Sequence, residues 1–294
     1  MTATLRKAYL QLHASVFLWG FTAILGRLIS TSALNLVWWR MLFTTISFLI
    51  LMKGWKPIMQ IPKKDILRLM GIGVIVAMHW ITFYGAIKLA NASVALVALA
   101  TMTLFSAIID PLVNRLRFNW LEIGIGIVII PAMLLIVNQL DTSLRLGLGI
   151  GIFSAACSST FTIFNKQMIT KVTPLSMSFI ELGSGWLFLT LFMPFFVWNT
   201  DIAFIPSQMD FALIIVLTLL CTTLPYIMSL HALQHVSPFV ISLSLNLEPV
   251  YGIIMAILIL HEDRELNLGF YSGVMVLLAT VIGYPLLKSS TKFT

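Results

Sequence analysis

Apolar residues occur in long runs closed by charges, proline or turn-forming residues. Ten such runs fall at 10–29, 34–52, 69–87, 92–113, 120–138, 146–165, 174–197, 211–232, 238–260 and 268–287. Most match the roughly 20 apolar residues that carry a helix across a bilayer. The stretch from Leu69 to Ile87 does not alternate between apolar and polar positions, so the ten-residue alternation of a membrane β-barrel is excluded. In lipid each backbone N–H and C=O must be satisfied within its own segment, which makes the runs helices. The pattern predicts an all-α integral membrane protein of ten transmembrane helices. Composition agrees: 59% of the 294 residues are hydrophobic and 10% charged, too apolar a balance for a water-soluble domain.

The two halves read alike. Lys88-Leu89-Ala90-Asn91-Ala92-Ser93 links the third and fourth runs, and Ala232-Leu233-Gln234-His235-Val236-Ser237 links the eighth and ninth, at an offset of 144 residues. Phe21-Thr22 in the first run and Phe161-Thr162 in the sixth stand 140 apart. These pairs keep the same order and predict two five-helix repeats, 1–140 and 145–294. An odd number of helices inverts the second repeat relative to the first. The loops agree, since Asn114-Arg115-Leu116-Arg117 is basic and the equivalent His261-Glu262-Asp263-Arg264-Glu265 mostly acidic. Inverted repeats are a device of alternating-access carriers, which bind substrate near the midplane between the halves.

A net charge of +7 would suit nucleic acid, but the positions of the cations argue otherwise. With the N-terminus inside, 13 of the 18 Lys and Arg residues fall on the cytoplasmic side, among them Arg6, Lys7, Lys53, Lys63, Lys64, Arg68, Arg115, Arg117, Lys166 and Lys171. Arg27, Lys88, Arg145 and Arg264 fall opposite, and Arg40 lies inside the second run. This asymmetry predicts a multi-pass protein of a bacterial-type inner membrane with both termini cytoplasmic and no nucleic-acid partner. Arg6 and Lys7 before an apolar run suit a signal peptide, but the run has the length of a full span, and a retained helix is expected. Cys157 and Cys221 lie inside runs, where they pack as small apolar side chains; no disulfide, metal or cofactor is expected.

Trp19-Gly20 with the following Arg27, Leu247-Glu248-Pro249-Val250 in the ninth run and His261-Glu262 at its end resemble the drug/metabolite transporter superfamily, in its EamA-type ten-helix branch. The resemblance spans essentially the whole chain. The sequence departs from the pattern where the fourth run lacks a proline equivalent to Pro249, carrying Asp110-Pro111 further on, and where His261 replaces a usual glycine. The resemblance implies an exporter or facilitator of amino acids or related metabolites. It also implies a central cavity lined by the first, third, fourth, sixth, eighth and ninth runs.

Ionisable and polar groups at membrane depth are candidates for the pathway. Glu248 lies in mid-run, and Pro249 removes a backbone hydrogen bond beside it. Ser244, Glu248 and Tyr251 recur at helical spacing, with Asn246 on a neighbouring face; gating and structural hydrogen bonding both remain open. His79 sits at the centre of the third run next to Trp80, and Trp80, Tyr84 and Lys88 share a face. Ser158 and Thr162, in a stripe with Ser154 and Asn165, and Trp19 and Thr22, in a stripe with Ser15 and Gly26, mark the related first and sixth runs. Such stripes equally serve as packing faces, as the pair Gly147 and Gly151 suggests. Thr222, Tyr226 and Ser229 form a further stripe beside the helix-opening Pro225. Arg40 and Glu181 suit structural anchoring as well as function.

Cationic, anionic and aromatic groups together suit a zwitterionic small-molecule substrate with an apolar side chain. A second copy of the chain is a candidate partner besides the lipid bilayer. A lipid flippase or channel is the alternative. An intramembrane enzyme is less favoured: Leu182-Gly183-Ser184-Gly185 is no nucleophile elbow, and His261-Glu262 lacks the second histidine of a zinc helix. There is no P-loop for ATP.

Overall fold

The computed structural model describes residues 2–137, 142–197, 204–255 and 268–290. The first half holds α1 (Ala3–Leu28), α2 (Ala33–Leu51), the single turn α3 (Lys56–Met59), α4 (Lys63–Leu89), α5 (Ala92–Leu99), α6 (Met102–Asn114) and α7 (Trp120–Val137). The second half holds α8 (Thr142–Met168), α9 (Pro174–Val197), α10 (Gln208–Thr218), a π turn (Leu219–Thr223), α11 (Leu224–Leu233), α12 (Pro238–Leu245), α13 (Glu248–Met255) and α14 (Leu268–Ser290). Among the described residues there is no strand.

Among the described residues seven segments are long and apolar enough to cross a membrane: Ala3–Leu28, Ala33–Leu51, Lys63–Leu89, Val94–Asn114, Arg145–Met168, Pro174–Pro194 and Gln208–Leu233. Trp120–Pro131 and Tyr271–Tyr284 are shorter apolar helices. The ninth expected run is split into α12 and α13, while its end and the acidic loop 261–265 lie outside the described residues. Large apolar side chains such as Ile50, 69% exposed, and Leu191, 72% exposed, cover the outer surface, which identifies lipid as its solvent.

Both halves break their fourth apolar run in the same way. An eight-residue helix, α5 or α12, is capped by Asn91 or Ser237, whose side chains accept from Val94 N–H and Val240 N–H. Two residues then interrupt it, Ala100-Thr101 in one half and Asn246-Leu247 in the other, before α6 or α13 begins. The break in the first half occurs without a proline near it, so the repeated architecture imposes it. The structural equivalence of Asn91 with Ser237 also differs by two positions from the sequence match, which paired Ser93 with Ser237. In the second half the break interrupts the expected stripe of Ser244, Glu248 and Tyr251.

Packing is reciprocal: α4 of the first half lies on α8 of the second, and α11 of the second lies on α1 of the first. Small residues permit the approach. A Cβ on Gly73 would sit 2.1 Å from the Glu181 carbonyl oxygen, and one on Gly185 would sit 2.7 Å from the Gly73 carbonyl oxygen, so α4 and α9 cross backbone to backbone. Gly147 and Gly151 meet Ala90 and Ala98, which makes that pair a packing face.

The hydrogen bonds at the helix ends sort these ends into two faces. Ser30, in the link from α1 to α2, donates its N–H (2.7 Å) and its hydroxyl (2.6 Å) to the two oxygens of Asp210 at the start of α10. Lys88, near the end of α4, donates to the Ile29 carbonyl beside them. At the second face Lys166, near the end of α8, donates to the carbonyls of Leu233 (2.6 Å), Gln234 (3.3 Å) and Val236 (2.8 Å) after α11.

Candidate functional site

A cavity of about 90 Å³ lies between the halves. The first half contributes Trp19 and Thr22 of α1, Arg40 of α2, His79, Trp80 and Phe83 of α4 and Leu99 of α5. The second half contributes Ser158, Phe161, Thr162 and Asn165 of α8, four residues of α11 from Tyr226 to Leu233, Ile241 and Leu245 of α12, and Glu248 at the start of α13. The cavity runs from Arg40, one-third of the way along α2, to Leu233, the last residue of α11, and so approaches the second face.

Eight residues singled out in the sequence meet here: Trp19, Thr22, His79, Trp80, Ser158, Thr162, Tyr226 and Glu248. Three do not line it. Tyr84 is fully buried behind Arg40, whose Nη1 donates to its hydroxyl at 2.7 Å. Asn246, at the break before α13, donates from Nδ2 to Thr103 Oγ1 at 3.1 Å and so ties α12 to α6. Tyr251 packs edge-on against Phe17, with ring centres 5.5 Å apart.

Arg40, whose place in the sequence suits structural anchoring as well as function, turns inward. Its residue is only 4% exposed; Nε donates to Thr222 Oγ1 at 2.8 Å, and the guanidinium carbon lies 4.0 Å from the centre of the Trp80 ring. Thr222 stands in the π turn, where its hydroxyl donates to the Leu217 carbonyl at 2.7 Å. Pro225 explains the irregular turn, because proline has no N–H to return to the carbonyl four residues earlier. The helix-opening role expected of Pro225 therefore has a product, a threonine aimed at Arg40. The Pro225 carbonyl itself accepts from Ser15 Oγ of α1 at 3.0 Å.

His79 is fixed by Ser154 of α8. Its Nδ1 lies 3.0 Å from the Ser154 carbonyl and 2.7 Å from the Ser154 hydroxyl. The Ser154 hydroxyl donates to the His79 carbonyl at 2.9 Å. The ring lies between Phe83 and Phe161, with centres 6.1 and 5.6 Å away.

Two carboxyl groups serve the same region. Glu248, buried at the head of α13, is held beside Thr22. Glu181 of α9, fully buried, accepts at Oε2 from the Tyr226 hydroxyl (2.6 Å) and from Asn165 Nδ2 (3.3 Å). Its Oε1 and the Asn165 Oδ1 have no hydrogen-bond partner among the described residues. Glu181 and Arg40 are among the residues the sequence leaves undecided. The signal available for both was an ionisable group about one-third along an apolar helix, which does not reveal whether the side chain points to lipid or inward.

No curated protein matches the chain. A solved structure, titled only as the crystal structure of a protein, is similar in fold: the TM-score is 0.70, the identity 11%, and the match covers 95% of this chain and 96% of that one. The EamA-like transporter family model matches twice, over 6–138 and 145–290, so the two-repeat membrane chain built here belongs to the EamA-like transporter family.

Proposed function

We propose that the protein is a secondary transporter, an exporter or facilitator, that moves amino acids or related small metabolites across a bacterial-type inner membrane by alternating access. In this reading 1–140 and 145–294 are inverted five-helix repeats, ten spans in all, and both termini are cytoplasmic. The observation that carries it is one cavity at the depth of the membrane, walled by helices of both halves and holding a guanidinium, a carboxyl group and aromatic rings together. A zwitterion with an apolar side chain finds partners for each of its parts there. The reciprocal packing of α4 on α8 and α11 on α1, with the repeated breaks in α5–α6 and α12–α13, supports two equivalent halves that rock about a shared site.

Proteoliposomes carrying the purified protein test it by counterflow of radiolabelled aromatic, aliphatic and cationic amino acids. Exchange of at least one class above empty vesicles is expected, and exchange of none overturns the substrate assignment. An imposed pH gradient separates proton-coupled movement from facilitated diffusion. Labelling of Lys63 and Glu262 from the same membrane side would overturn the inverted arrangement.

A further inference from the structure

We propose that Arg40 is the carboxylate anchor of this cavity, so that the molecules it transports carry a carboxylate; the inference rests on the transporter reading above. A guanidinium at membrane depth is costly unless its donors and its charge are both met. The donors of Arg40 are met in part, and its charge has no ion-pair partner within 4 Å among the described residues. Thr222 and Tyr84 take two of its five N–H hydrogens, and both partners are neutral. Trp80 covers one face of the plane. Among the described residues the one ion pair is Arg68 with Asp65 at 3.7 Å, so no carboxylate stands within 4 Å of Arg40.

Nη2 has no hydrogen-bond partner among the described residues, yet it is not fully buried, and Arg40 lines the cavity. Nη2 and the remaining hydrogen of Nη1 form the end of a planar fork, which matches the two oxygens of a carboxylate. The contact with the Trp80 ring and the bond from Nε to the π turn hold that fork in place, a preorganised donor pair with no carboxylate acceptor among the described residues. Glu248 faces the same cavity from farther away, near enough to interact with Arg40 through space. The gap between them suits a molecule that offers an anion to one and a cation to the other.

The test uses the full-length protein in proteoliposomes and matched probes: phenylalanine and leucine, their amides, and phenethylamine. The wild type is expected to move the amino acids at least about tenfold faster than the amides or the amine, the usual worth of one charge-assisted pair. Arg40→Gln is expected to lose that preference, the ratio of amino-acid to amide flux falling about tenfold or more, and Arg40→Lys to recover part of it. Equal movement of acid and amide by the wild type overturns the proposal even if Arg40→Gln does not fold, as does full amino-acid flux in Arg40→Gln. Movement of uncharged or cationic metabolites with no carboxylate-bearing one overturns the anchor and leaves the transporter reading standing. Movement of nothing in a wider metabolite panel overturns both.

Discussion

The two faces of the molecule are tied across the halves in different ways. At the first, a carboxylate bridges the halves: both oxygens of Asp210 accept from Ser30, and Asp210 is buried. At the second, the strongest tie is Lys166 on three carbonyls, but α8, α11 and α12 all belong to the second half, so it stiffens that half without fastening it to the other. The polar contacts that cross between the halves toward that face include Gln167 Nε2 to Asn114 Oδ1 at 2.6 Å, exposed, the hydroxyls of Ser106 and Ser159 at 2.9 Å, buried, and, where α14 meets α7, the Tyr284 hydroxyl on Glu122 Oε1 at 2.8 Å. Charge-assisted bonds are roughly twice as strong as neutral ones. The cavity reaches toward the second face and stops short of the first. On the alternating-access reading proposed above, a cycle starting from this conformation has to break the Ser30–Asp210 bridge.

The largest effect is expected from making that bridge permanent. Cysteines at positions 30 and 210, once cross-linked, should cut counterflow about tenfold or more, with recovery on reduction, because one of the two openings is then forbidden. Undiminished flux in a fully cross-linked sample would show that the first face does not open. A smaller effect is expected from Asp210→Ala. Loss of two bonds to a charged acceptor should favour opening by about 2–3 kcal/mol. The labelling rate of a reporter cysteine at Phe83 by an impermeant reagent added from that face would then rise. The smallest effect is expected from Gln167→Ala, about 0.5 kcal/mol or less in thermal unfolding and no change in flux, because an exposed neutral contact is readily replaced by solvent. A Gln167→Ala effect as large as that of Asp210→Ala would erase the contrast between the faces.

The candidate site was partly legible in the sequence. Trp19, Thr22, His79 and Trp80 announced themselves as polar or aromatic groups at regular spacing within apolar runs, and all four line the cavity. Tyr84 was on the same helical face as Trp80 by spacing, yet it stands behind Arg40, because a face seen from one helix does not say which neighbour covers it. Asn246 and Tyr251 were placed on a continuous helix, and the break at Asn246-Leu247 turned them to α6 and to Phe17 instead.

The sequence by itself determined the solvent, the helices and the twofold repeat. These follow from hydropathy and periodicity, which are properties of neighbouring residues and need no partner. Only the tertiary structure decided which charges face one another. Arg40 meets Tyr84 across 44 residues and Thr222 across 182, and Ser30 meets Asp210 across 180. Such meetings depend on the rotation and depth of each packed helix, which small residues such as Gly73 and Gly185 and the π turn before Pro225 set through close contact, and no one-dimensional pattern records them.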